Sequence, residues 1–490
     1  MPKRFYATTV VALVVTFVAT ACSGQPASPT AAAPADAPTS AAAKATEAPI
    51  ATIAAQPATS APAPTAAPTA APTAAAPTVA PTSAAQAVTD APRFTHPTEI
   101  TNAFYPVSLI SHTIELGQEE GKPARIEVTL LPDSKTIAWG DQQIETRVVQ
   151  FVAHTDGKLV EVAYDYFAQA DDGGVYYMGE DVSNYEDGVI TDHEGSWLAG
   201  KDGAPPSLIM PAHPEVGQVF NPENLPGVVY ETDEILSLTE KATTPAGPTD
   251  QAMLVKETLM DNSIEHKVYA ADFGIVEERA DDEQINLVLS IPTNSKPGAV
   301  PEPLTTLEAQ AEDIIDSVPG GDWGKVTADV AAIDTAWRAY QAQAVSDHVP
   351  QPFQEALTVA LARLQKTSAA NDAPGTVQAA NDLSAAIVDL FTVYHPARPT
   401  DLGWLDVLER QIALGVPGDD SATADSLAKI NAVWARLKPV ILARNGADTA
   451  TQFENSLTTQ QEALSNKQAA ALKIAATNGL ELVDALEKLF

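Results

Sequence analysis

The chain has 490 residues, 64 of them acidic and 28 basic, for a formal net charge of −36. A charge of that sign and size opposes binding to nucleic acid, which is set aside as a partner. With one cysteine in the whole chain, an internal disulfide, a zinc site built from several cysteines, a dithiol redox pair and Cys-x-x-Cys-His haem attachment are excluded.

The amino terminus has the three parts of an export signal. Lys3 and Arg4 form a short basic region, an apolar run follows from Val10 to Ala19, and small residues precede Cys22. At about ten residues the run falls short of the roughly 20 that a membrane-spanning helix needs. The segment Val18-Ala19-Thr20-Ala21-Cys22 resembles the lipobox of bacterial lipoproteins, with Ala19 where that pattern most often has Leu. The resemblance implies a signal peptide over 1–21 and a diacylglyceryl thioether on Cys22. The protein is then expected to be exported and lipid-anchored at the cell membrane, facing outside the cytoplasm. Two acyl chains are enough for stable anchoring, whereas one is marginal.

From 22 to 92 the chain is almost entirely Ala, Pro, Thr and Ser, and Pro-Thr-Ala-Ala recurs between Pro64 and Pro81. Alanine offers little area to bury and proline removes backbone donors, so a disordered linker is expected. Proline-rich segments extend as polyproline II, which makes this one a spacer. A Thr-rich stalk carrying O-linked sugar is the functional alternative.

Between 93 and 291 the apolar period becomes two, with turn signals every ten residues or so. Arg125 to Leu130 alternates and then meets Pro132-Asp133-Ser134, read as a break. Thr146 to Ala153 and Leu159 to Phe167 read as a hairpin about Asp156-Gly157. Further strands are expected from Val175, over Glu231–Leu238, Gln251–Thr258, Glu265–Tyr269 and Gly274–Glu278, and last over Leu287–Ile291. The expected architecture is an antiparallel, curved β-sheet or partial barrel. Its apolar face would carry Val148, Val160, Val162, Tyr164 and Tyr166.

The segments Tyr164-Asp165-Tyr166-Phe167, Gly195-Ser196-Trp197-Leu198 and Glu265-His266-Lys267-Val268-Tyr269-Ala270 resemble a group of uncharacterised exported bacterial proteins. Ala271 stands where that group usually has proline. The resemblance implies a β-domain and brings no activity with it. Two features invite chemistry. His193 and Glu194, with His213 further on, are candidate metal ligands, although their spacing matches no histidine site. The acidic turns Asp171-Asp172-Gly173, Glu180-Asp181 and Glu186-Asp187 offer hard oxygens without the spacing of an EF-hand.

A linker over 292–303 leads to an alanine-rich, helical region over 304–490. Val330 to Trp337 matches Leu427 to Trp434 at an offset of 97, and Asn381 matches Asn478 at the same offset. Phe353, Leu357 and Leu364 are set against Phe453, Leu457 and Leu464. The expectation is a duplicated all-α bundle of six or seven helices, with copies over about 322–395 and 419–490 and the helix Leu402–Leu414 between them. The region has two histidines, His348 and His395, with no Glu three residues before either, so di-iron chemistry is not supported.

The chain as a whole reads as a multidomain α+β protein. No serine elbow, zinc helix, phosphate-binding glycine loop or Ser-x-x-Lys motif is present, and no cofactor is expected. The reading is a non-catalytic cell-surface lipoprotein whose β-domain binds a hydrophobic small molecule. Tyr164, Tyr166, Trp197 and Met210 are its candidate ligand-binding residues. One alternative is an extracytoplasmic enzyme with a pocket near Trp197, Met210 and His213. Another is capture of a divalent cation by the acidic loops.

Overall fold

The computed structural model describes residues 91–281 and 283–490. The leader, Cys22 and nearly all of the Ala/Pro/Thr segment lie outside the described residues. Strands β1 (Ile110–Glu119), β2 (Lys122–Trp139), β3 (Gln142–Thr155), β4 (Lys158–Gln169) and β5 (Val175–Glu186) run up and down. Short strands β6 (Val189–Asp192), β7 (Trp197–Leu198), β8 (Ser207–Met210) and β9 (Val219–Phe220) follow. The pair β10 (Asn224–Leu225) and β11 (Val229–Tyr230) stands apart. The sheet resumes with β12 (Thr232–Thr244), β13 (Gly247–Thr258), β14 (Ile264–Ala270), β15 (Gly274–Ala280) and β16 (Glu283–Pro292). Fourteen strands form one antiparallel sheet in the order β6-β5-β4-β3-β2-β1-β16-β15-β14-β13-β12-β9, with β7 and β8 paired to β5. The sheet does not close.

Turn chemistry sets the hairpins. Asp156 (φ 52°) and Gly157 (φ 73°) lead β3 into β4, and Asp187 (φ 49°) and Gly188 (φ 76°) lead β5 into β6. Pro132-Asp133-Ser134 does not break the chain as its composition suggests. β2 runs through it, and the pairing jumps from Leu130↔Val149 to Ser134↔Arg147. Proline lacks the N–H that a ladder needs, and a bulge gives it an unpaired place.

The sheet curls until its two wings share an interior. Val149, Phe167 and Tyr177 from one wing belong to the same buried cluster as Ile235, Met253, Val255 and Tyr269 from the other. The segment before β1 also enters this cluster: Ile100 is fully buried, and Tyr105 meets Phe167 edge-on with centroids 5.3 Å apart.

Eight helices follow, not six or seven: α1 (Glu302–Ser317), α2 (Trp323–Ser346), α3 (Gln351–Ala369), α4 (Ala373–Tyr394), α5 (Asp401–Gly415), α6 (Asp420–Ala443), α7 (Ala447–Ser465) and α8 (Ala469–Glu487). The additional one is α1, whose Pro301 and Pro303 resemble a linker. Pro301 is the N-cap and Pro303 lies in the first turn, where proline costs no helical hydrogen bond.

The helices form two sets of four with matching inward faces. Buried Val326, Ile333, Trp337, Tyr340 and Ala344 of α2 have buried counterparts 97 positions on, at Thr423, Ile430, Trp434, Leu437 and Ile441 of α6. Leu304, Leu307, Ala311 and Ile314 of α1 correspond to Leu402, Leu405, Glu409 and Ile412 of α5. Past the α6–α7 connection, one residue shorter than its counterpart, the offset falls to 96. Leu357, Leu361 and Leu364 then correspond to Phe453, Leu457 and Gln460. Leu383, Ile387 and Leu390 correspond to Gly479, Val483 and Leu486. Phe453 therefore occupies the place of Leu357 rather than of Phe353, and buried Asn381 has no asparagine opposite it. The helix Leu402–Leu414 is the first of the second set, not a spacer between copies. α1 packs on α2 and α4 as α5 packs on α6 and α8.

Sheet and helices are joined through the outer face of the sheet. Ile114, Leu289 and Ile291 lie in one core with α1–α4, while Ala428 and Ala432 of α6 cover Val152 and Val162. Gln150 Nε2 donates to Ala432 O at 2.9 Å, and Leu159 N donates to Asp425 Oδ1 at 2.9 Å. Among the described residues no helix is long and apolar enough to cross a membrane.

Candidate functional site

The inner face of the sheet is where the acid residues collect. Strand alternation turns Thr113 and Glu115 of β1 inward while Ile114 faces the helices. Cross-strand pairing sets Asp233 opposite Glu257, Glu257 opposite Glu265, and Lys267 opposite Glu278. On the facing wing Asp165 is opposite Glu180. All of these side chains are buried, and Lys267 is 0% exposed. Lys267 Nζ lies 2.5 Å from Glu257 Oε2. Lys267 and Arg436 are the only buried cations among the described residues, and Arg436 belongs to the sheet–helix boundary.

A cavity of about 120 Å³ opens on this face. Its walls are apolar, from Val128, Leu130, Val149, Phe151, Phe167 and Ile275, and Glu115, Asp165 and Glu278 also line it. Tyr177 Oη donates to Asp165 Oδ1 at 2.9 Å. Neither carboxylate oxygen of Glu278 has a hydrogen-bond donor among the described residues.

Burial dominates the electrostatics. It pushes the Glu115 carboxyl up to about 7, into the range where it holds a proton near neutrality. Burial, then repulsion from Glu257, raises Asp233 well above the ordinary carboxylate range. Burial, then Glu223, does the same to Glu231. Glu278 is raised by burial, against the opposing pull of Lys267. For Lys267 burial works the other way, but Glu257 and Glu278 overcome it and hold the ammonium charged. Burial thus favours the neutral form of Glu115, Glu231, Asp233 and Glu278 on this face.

The residues singled out from the sequence sit elsewhere. Tyr164 packs in the cluster where α6 covers the sheet, alongside Val162, so that part of the expected apolar face is covered by a helix, while Val148 and Tyr166 belong to the buried cluster shared by the two wings. Tyr166 donates to Asp181 Oδ2 at 2.5 Å and carries Lys135 over its ring at 3.8 Å. Trp197 is core, edge-on to Tyr177 with centroids 5.4 Å apart, and Met210 is core beside it in the same cluster. His193, Glu194 and His213 are exposed. The His193 imidazole lies 2.6 Å from Val182 O.

The acidic turns are engaged locally. Asp171 accepts from Thr95 N at 2.7 Å and Thr95 Oγ1 at 2.8 Å, Asp172 from Gly174 N at 2.9 Å, and Asp187 pairs with Lys158 at 2.6 Å. Among the described residues no group of three or more His, Cys, Asp or Glu side chains is placed to hold a metal ion.

The inward acids escaped sequence reasoning because Glu265, Lys267 and Tyr269 alternate with Val268 and Ala270 as the polar face of a half-solvated strand would. A β-strand buried on both faces normally reads as a continuous apolar run. No family model matches this chain, and no curated protein matches it.

Proposed function

We propose that the protein is an exported lipoprotein, tethered through Cys22, whose β-sheet domain binds a small ligand in the inner-face cavity without transforming it. The observation that carries this reading is a cavity of about 120 Å³ with apolar walls and a few buried polar groups, the usual make-up of a binding pocket. Its size is near the ~150 Å³ of an engineered cavity that admits benzene, which favours a compact ligand over a whole acyl lipid. The lipobox-like run before Cys22 supports the anchor, and the Ala/Pro/Thr segment supports a spacer between lipid and domain.

The helices are read as two copies of one four-helix unit, because their inward positions coincide along all four helices. With the sheet's outer face covered, their role is to hold the sheet in its curved form.

Two measurements test the proposal. Native mass spectrometry of the full chain isolated from cell envelopes should show a co-purified small molecule, and a mass accounted for by chain and anchor alone would count against ligand binding. Cys22→Ser should move the protein from the membrane to the soluble fraction, and continued membrane fractionation would remove the anchor.

A further inference from the structure

We infer that the inner-face cavity takes an organic ammonium ion with an apolar body, its charge met at Glu278 within the acidic lining to which Glu115 and Asp165 also belong, and its body held by the surrounding walls. The inference rests on the ligand-binding reading of the same cavity and names the chemistry of the ligand.

Three independent features point to a cation. Glu278 is 1% exposed and lines the cavity, yet neither of its oxygens receives a hydrogen bond among the described residues. A carboxyl group buried without hydrogen-bond partners is costly, and a donor arriving from a ligand offsets that cost. The chain also supplies its own example of the interaction. Lys267 is an alkylammonium on a four-carbon stem, fully buried on the same face, with Nζ on Glu257 at 2.5 Å. The walls add aromatic surfaces, since Tyr105, Phe151, Phe167 and Phe273 line the cavity, and an ammonium is attracted to the face of such rings.

An organic cation fits better than a metal ion. Calcium gathers six to eight oxygens at about 2.3–2.6 Å, and no three acidic side chains among the described residues are grouped to that end. The carboxylates are spread over several strands, and the space between them is apolar. A positive charge attached to a hydrocarbon body uses both features, whereas a hydrated ion uses neither.

The test is calorimetric titration of the full chain with benzylammonium, benzyl alcohol and calcium. Benzylammonium should bind at least about tenfold more tightly than benzyl alcohol, the ratio that one charged hydrogen bond of ~1.4 kcal/mol provides. Glu278→Gln should lower the ratio towards one while binding of benzyl alcohol persists. Glu115→Gln should do the same, and serves if the first variant melts early. Equal affinity for alcohol and ammonium would overturn the cation inference and leave ligand binding standing. Failure of both organic probes to bind would overturn both. Displacement of benzylammonium by micromolar calcium would assign the site to a metal and overturn the inference.

Discussion

Arg436 of α6 reaches across to Glu127 of β2, with Nη2 3.0 Å from Oε2 and both side chains nearly inaccessible to water. Its Nε holds Asp401 Oδ1 at 2.8 Å, and Arg125 completes the group by binding both oxygens of Asp389, at 2.8 and 3.0 Å. Burial alone would raise the Glu127 carboxyl, but Arg125 and Arg436 hold it well below the usual carboxylate range. Arg436→Met leaves Glu127 buried with half its counter-charge, and should cost about 3–5 kcal/mol. Urea unfolding followed separately on sheet and helix signals would measure it. A change confined to the helices would show that the pair does not couple the two.

His112 and His154 flank this group. Burial lowers His112 to about 4 and His154 to about 3, so both rings stay neutral in the fold well below the usual 6.5. Unfolded histidines bind protons first as pH falls, so their contribution to stability is present above about 6.5 and is lost below it. Imidazole NMR titration should show both rings unprotonated at pH 5.5. A midpoint near 6.5 for either would mean that it is solvated.

Glu409, Gln460 and Gly479 occupy in the second helical set the places of Ala311, Leu364 and Leu383 in the first. Gln460 Nε2 donates to Glu409 Oε1 at 3.0 Å, Glu409 Oε2 has no hydrogen-bond partner among the described residues, and a Cβ on Gly479 would overlap the carboxyl. Burial pushes Glu409 up to about 8. A carboxyl raised in the fold contributes its full stability below the unfolded value of 4.5 and loses it as pH climbs towards 8. Gly479→Leu alone should therefore destabilise the protein. The triple change Glu409→Ala, Gln460→Leu and Gly479→Leu restores the apolar arrangement of the first set and should gain about 1–4 kcal/mol. It should also flatten stability between pH 5 and pH 8, which thermal melting across that range would read.

Gly188 turns β5 into β6 against the first turns of α6. A Cβ there would overlap the backbone of Ala424 and Asp425, and φ is 76°. Gly188→Ala should cost more than the ~1 kcal/mol of left-handed strain alone, because the helix must also move. Hydrogen exchange at Leu159, whose amide is held by Asp425, should rise with it. Unchanged protection would show that the turn can shift without the helix.

Trp434 lies beside Phe453 with centroids 4.8 Å apart, and its Nε1 donates to Glu454 Oε1 at 3.3 Å. Trp434→Ala should cost about 3–5 kcal/mol as a large cavity opens. An unchanged melting curve would mean that the second helical set does not depend on it.

Local pattern carried much of the fold. Alternation about Asp156-Gly157 gave a hairpin, and helical spacing about Trp337 and Trp434 gave the second helices of two related sets, because both signals reside in neighbouring residues. Other features depended on partners distant in the chain. Whether Val162 faces ligand or helix turns on α6, more than 250 residues later, whose Ala428 and Ala432 cover it. The same holds for Glu265 and Lys267, which look like a solvent face until the sheet curls and encloses them. Amino-acid order by itself determined the β3–β4 hairpin and the helices that carry Trp337 and Trp434, through period and turn chemistry, but neither the course of β2 through Pro132 nor the start of α1. Only tertiary structure decided which charged face was inside, because burial is a property of what packs opposite a side chain and not of its neighbours in sequence.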